Sequence, residues 1–164
     1  MKKILTVCIA LMTAVTLFGR DYQHSLGIVG GLGIGVQYKG MVADNVTVME
    51  ELGYFINPNG GTGFGYAAFL NNTIVAYQDN ILEEDGVKLD WYAGGQLKIG
   101  YGASGVFGFG AAAGVEANMT NAPISLSFDF RPGYGLLFGN NGAGGTTTAH
   151  LFDYSLNLGV RYTF

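Results

Sequence analysis

Few residues of this 164-residue chain are equipped for chemistry, and their spacing limits what they could do. The imidazoles are His24 and His150. His150 stands close to Asp153 and Ser155, and a base, an acid and a hydroxyl are the parts of an esterase or acyltransferase working on a membrane lipid. Asp153 and Ser155 share the parity of an alternating strand, yet nothing in the pattern sets a base within hydrogen-bond reach of a nucleophile. The plainer reading is a solvated loop histidine beside a strand start. Glu83, Glu84 and Asp85 are hard oxygen donors that could gather a cation. Three adjacent acids in a turn are ordinarily solvated, so no metal and no cofactor is expected. The single cysteine, Cys8, follows only four apolar residues with Val7 before it, a poor lipid-attachment box. Without it there is no disulfide, thiolate or cysteine nucleophile.

What remains is a set of charges on alternating positions: Glu51, Lys98, Glu116, Asp129, Arg131 and Arg161. The elements carrying them decide their meaning. Residues 154–164 alternate without a fault, Tyr154, Leu156, Leu158, Val160, Tyr162 and Phe164 against Ser155, Asn157, Gly159, Arg161 and Thr163. A period of two is a β-strand with one apolar and one polar face. Eleven residues match the ~9–11 that a tilted strand needs to cross a hydrocarbon core. The outward row Val160, Tyr162 and Phe164, closing on an aromatic residue, is the expected signal to a barrel-insertion machinery.

At the other end Lys2 and Lys3 precede an uncharged apolar run, residues 4–18. That is a secretory signal peptide, too short for a spanning helix. Residues 1–19 are therefore expected to be removed, leaving 20–164 as one domain. Without Lys2 and Lys3 there are six bases against 12 acids, a net charge of −6, and no basic stripe for nucleic acid. Glycine is abundant, 28 residues, while proline is only three, and aromatics reach 13%. Interleaved along strands, glycines let a narrow wall curve and aromatics sit at membrane interfaces.

Two rival folds fare worse. A soluble barrel needs a charged exterior, and 12% charged residues is about half the usual share. A spanning helix over residues 99–115 would have to hold six glycines, each costing about 1 kcal/mol against alanine. That stretch reads instead as two strands around residues 102–105, and strands in lipid must close into a barrel.

Faces and turns then count the strands. Clean alternation covers 88–101, 106–118, 124–131 and 154–164; strands of less certain phase cover 46–56 and 65–77. Glu50 and Glu51 are adjacent, so one faces outward unless a bulge intervenes; Glu51 is assigned inward beside Thr47 and Gly53. Splitting 25–38 at residues 30–33 makes eight, the even number such barrels require. Turns at 40–45, 79–86 and 119–122 then fall on the periplasmic side. Loops at 57–61, 102–105 and 132–150 fall outside, the last being the longest.

At this point the chain resembles the small outer-membrane β-barrel proteins of the Bacteroidetes type, similar in architecture to the eight-stranded domain of outer-membrane protein A. The resemblance rests on residues 35–39 (Gly-Val-Gln-Tyr-Lys) before a short turn, 89–95 (Leu-Asp-Trp-Tyr-Ala-Gly-Gly) and 114–116 (Gly-Val-Glu). Residues 124–132, running into Asp-Phe-Arg-Pro, and 160–164 (Val-Arg-Tyr-Thr-Phe) complete it. It implies a porin-like cell-envelope protein in the outer membrane of a Gram-negative bacterium, and no reaction.

Eight strands enclose a lumen just wide enough for side chains. Lone charges there would be costly, whereas opposite pairs offset their desolvation when well hydrogen-bonded. Three bases against three acids favour a packed plug over a selectivity-lined pore. The expected molecule is a non-enzymatic all-β transmembrane barrel, acting structurally or through its outer loops. Its partners would be outer-membrane lipid, the insertion machinery and an unknown extracellular partner of the 132–150 loop. A narrow channel or small-ligand carrier ranks second and a lipid-modifying enzyme third.

Overall fold

The computed structural model describes residues 24–57, 66–102, 105–140 and 146–164; the expected signal peptide, residues 1–19, lies outside them. Eight strands run in chain order: β1 (His24–Gly30), β2 (Gly33–Ala43), β3 (Val46–Asn57), β4 (Tyr66–Glu84), β5 (Val87–Gly102), β6 (Gly105–Met119), β7 (Ile124–Asn140) and β8 (Thr146–Thr163). Each pairs antiparallel with its neighbour, and β1 pairs with β8, so the sheet closes into an up-and-down barrel. Closure satisfies the edges that an open sheet would leave unpaired. Residues 99–115, the rival helix, form parts of β5 and β6 instead.

Alternation along the strands separates two environments. Outward apolar side chains are bare, Leu158 at 66%, Ile34 at 65% and Phe152 at 63% exposed. Inward polar ones are sealed, Glu51 and Ser125 at 0% and Arg131 at 1%. A water-soluble barrel has the opposite arrangement; this wall is built for lipid outside and a polar interior. Aromatic residues mark both rims of the belt. Tyr77 and Trp91, ring centroids 5.7 Å apart, lie toward one rim, and Phe109 and Tyr134, 6.2 Å apart, toward the other.

Several strands run further than their sequence pattern indicates. The expected turn at 40–45 shrinks to Asp44 and Asn45, with Asn45 at φ 63°. The expected turn at 79–86 shrinks to Asp85 and Gly86, both at positive φ, the backbone of a tight hairpin that Asp-Gly favours. Irregular pairing between Met41 and Ala43, and between Asn80 and Leu82, interrupts the alternation there. Beyond the lipid edge an outward side chain need not be apolar, so Asp79, Asn80, Glu83 and Glu84 decorate a strand that reads as a turn.

The largest correction concerns the 132–150 loop. Pro132 to Asn140 continue β7 and pair with Thr146 to Tyr154 of β8, leaving only 141–145 outside the described residues. Glycine misled the pattern. Gly133 and Gly135 occupy inward positions opposite Gly110 and Gly108, where neighbouring backbones approach closely. A Cβ on Gly110 would lie 2.7 Å from the Cα of Gly133. The glycines there are wall residues, not loop residues. The loops expected at 57–61 and 102–105 fall largely outside the described residues.

Candidate functional site

The lumen is where the polar side chains converge. Strand parity carries Glu51 from β3, Lys98 from β5, Glu116 from β6, Asp129 and Arg131 from β7 and Arg161 from β8 inward, all buried. No bulge separates Glu50 from Glu51, which pair with Tyr38 and Gln37 in unbroken register, so Glu51 points in and Glu50 out. Lys39 on β2 and Asp90 on β5 join them, giving four acids and four bases among the described lumen residues.

Seven of these eight charges fall into three clusters. The first centres on Arg131, whose Nε and Nη2 donate to the two oxygens of Asp129, both at 2.7 Å, while Nη1 donates to Glu51 Oε2 at 2.6 Å. A two-pronged guanidinium–carboxylate pair of this kind is among the strongest charge-assisted contacts. Asp129 also accepts from the Tyr92 hydroxyl at 2.7 Å and from the Asn157 amide at 2.9 Å, which fills its acceptor sites. Gly114 makes room for this. A Cβ there would stand 2.6 Å from Asp129 Cβ and 2.8 Å from Tyr92 Cζ. With its amide turned, Asn72 accepts from Arg131 Nη1 at 3.2 Å and donates to the Leu97 carbonyl at 3.1 Å.

The second cluster shares Glu116 between two cations. Lys39 Nζ donates to Oε2, and Arg161 Nη2 stands 3.0 Å from Oε1. Nη2 makes no well-angled hydrogen bond, so that contact is an ion pair by distance. Arg161 Nε donates to Ser125 Oγ at 3.4 Å, and its Nη1 donates to the Gln37 carbonyl oxygen. Gln37 Nε2 in turn donates to Glu51 Oε2 at 3.1 Å, which joins the two clusters. The third lies at the mouth beside the 44–45 and 85–86 turns. There Asp90 accepts from Gln78 at 2.9 Å, Asn118 at 3.0 Å and Asn80 at 3.1 Å, with Lys88 at 3.8 Å. Lys98 is buried on the other side of the Arg131 cluster, in register with Asn72 and Gly108.

The network holds no catalytic arrangement among the described residues. The bases of its two linked clusters, Lys39, Arg131 and Arg161, are ammonium and guanidinium groups engaged with carboxylates. The two histidines sit at opposite ends of the barrel. His24 stacks beside Tyr38 at one rim, its Nδ1 2.8 Å from the phenol oxygen, while His150 lies along the far part of β8 opposite Leu136. Ser155 Oγ is 3.0 Å from the Asn157 amide that donates to it. Glu83, Glu84 and Asp85 form an exposed hairpin tip, and no group of three metal-ligating side chains occurs among the described residues.

Val160, Tyr162 and Phe164 share the outward face, and the Tyr162 and Phe164 rings stack 6.3 Å apart. Gln37, Lys39, Asp90 and Tyr92 are network members absent from the sequence-derived set. Gln37 and Lys39 alternate with Val36 and Tyr38, a signal hidden because the expected turn begins at the next residue. Asp90 and Tyr92 share a face with Lys98, but their hydrogen-bond partners lie on other strands.

No protein-family model and no curated protein matches the chain. Among solved structures, it is similar to a major outer membrane protein from Thermus thermophilus, at 14% identity and a TM-score of 0.48 over 88% of this chain and 100% of that one. It is also similar to Neisserial surface protein A, at 13% identity and a TM-score of 0.46 over 87% of this chain and 94% of that one. These are likenesses of outline, and no residue's role is taken from them.

Proposed function

We propose that this chain is a non-enzymatic outer-membrane barrel of a Gram-negative bacterium, its lumen closed by its own side chains and its role exerted at the outer surface. The observation that carries this is the buried network of three acids and three bases, Glu51, Glu116 and Asp129 with Lys39, Arg131 and Arg161, joined through Gln37 and braced by Tyr92 and Asn157. Charges locked together in this way rigidify a wall; an ion pathway needs groups that can let go. The end bearing the 44–45, 85–86 and 120–123 turns is read as periplasmic, since short turns face that side. The β7–β8 hairpin then stands at the outer end, flanked by the much shorter β1–β2 hairpin. Removing residues 137–149 and joining the strands by a tight turn should leave a folded barrel and abolish capture of surface partners cross-linked on intact cells. Undiminished capture would refute the hairpin's role.

A narrow channel is the second reading, and one observation favours it. Toward the outer end the inward positions include Gly100, Gly108 and Gly135, which contribute no side chain to fill the lumen. Assembly has its own test. The outward row Val160, Tyr162 and Phe164 is proposed as the face engaged by the insertion machinery, so Phe164→Asp should reduce assembled protein far more than Thr163→Asp. Equal membrane levels of the two variants would contradict it.

A further inference from the structure

Halfway along β3 and β4 the wall is turned inside out. Met49 and Ile74 pair across the strands and face inward, both at 0% exposure, within an apolar cluster that includes Ala76 and Ala112. Their neighbours Glu50 and Thr73 face outward, with Thr73 Oγ1 donating to Glu50 Oε2 at 2.9 Å. Asn71, two residues along β4, also faces outward and is exposed. Thr73 stands four residues from Phe69 and four from Tyr77, the aromatic residues that bracket the lipid-facing run of β4. Thr73 therefore holds the carboxyl on the lipid-facing wall between the two rims.

On β5 Leu97 stands against Thr73, and the outward row continues with Gly95 and Ala93 against Val75 and Tyr77 of β4, paired with Ala111 and Ala113 on β6. Across the barrel the outward row is Leu156, Leu158 and Ile28, with no polar side chain among them. The two sides of one lipid-facing belt thus differ in polarity. Ionisable groups within a membrane are costly, and small residues let two surfaces approach closely. Hydrocarbon offers Glu50 no hydrogen-bond partner, and no Lys or Arg among the described residues faces outward at that depth.

We propose that the β3–β4 face docks a second copy of this chain, the two Glu50 carboxyls meeting across a two-fold axis along the membrane normal. That symmetry sets both carboxyls at the same depth. A carboxyl that keeps its proton is donor and acceptor at once, so the residue is complementary to its own copy. This inference rests on lipid bathing the wall, which the heat-dependent gel shift of a folded barrel checks separately for every variant.

The test uses the full chain with Cys8 replaced by Ser, in proteoliposomes at falling protein-to-lipid ratios. Energy transfer between labelled copies should report a dimer, and Glu50→Leu should weaken association at least tenfold while keeping its gel shift. Leu52→Cys, next to Glu50 on the outward row of β3, should cross-link to its copy with a short bifunctional reagent, whereas Leu158→Cys on the opposite side should not. A monomer at every ratio, equal cross-linking at both positions, or an undiminished dimer in Glu50→Leu would overturn the proposal.

Discussion

The inner and outer faces of the same eight strands are held by different physics. Inside, the central charges are held by named partners: Asp129 alone accepts from Arg131, Tyr92 and Asn157. Outside, Leu156, Leu158 and Val160 on the same strand as Asn157 and Arg161 are largely bare. A lumen side chain is specified by geometry, whereas a lipid-facing one need only be apolar. The lesson is that strand parity alone, one residue's step, changes a position from replaceable to irreplaceable.

The largest effect should come from breaking the inner face. Arg131→Ala leaves Asp129 and Glu51 buried without their cation, and losing one partner of such a pair costs about 3–5 kcal/mol. Urea unfolding of the reconstituted barrel should show that loss. Stability equal to wild type would mean that water, not Arg131, satisfies those carboxylates.

Next comes the outer face, tested for tolerance rather than specificity. Leu158 lies four residues from Tyr154 and from Tyr162, at mid-belt. Leu158→Arg should cost about 2–4 kcal/mol, the penalty for a base on the lipid side at that depth. Leu158→Ala should cost clearly less than Arg131→Ala by the same assay. If the alanine variants lose equal stability, the contrast between the faces fails.

A smaller effect sharpens the inner face. Lys39 and Arg161 both engage Glu116, so either cation can partly cover for the other. Lys39→Met and Arg161→Met together should cost more than their separate losses combined, with a coupling of about 0.5–3 kcal/mol in a double-mutant cycle. Strict additivity would show the two cations to be independent. Smallest of all, Glu83→Ala at the exposed hairpin tip should stay within about 0.5 kcal/mol of wild type.

The barrel and most of its facing residues are legible in the sequence because lipid and lumen impose opposite demands on alternate positions. β6, β7 up to Arg131 and β8 from Tyr154 keep that alternation unbroken. Legibility ends where the belt ends. Past the lipid edge both faces of a strand tolerate polar residues, so the lower ends of β2 and β4 read as turns. Inward Gly133 and Gly135 are chosen for backbone approach to β6, and composition alone cannot distinguish that from loop glycine. The site was legible as a set of inward charges and not as clusters. Glu51 meets Arg131 across 80 positions of sequence, and Lys39 meets Glu116 across 77, pairings that depend on the closed register.

The most direct measurement of a sealed lumen is conductance of the purified, folded protein in a planar bilayer. The account predicts no steady ion current from the wild type across the working voltage range, with leak appearing when Arg131 and Arg161 are both replaced by Ala. A stable unitary conductance from the intact wild type would contradict it and make the narrow channel the better description.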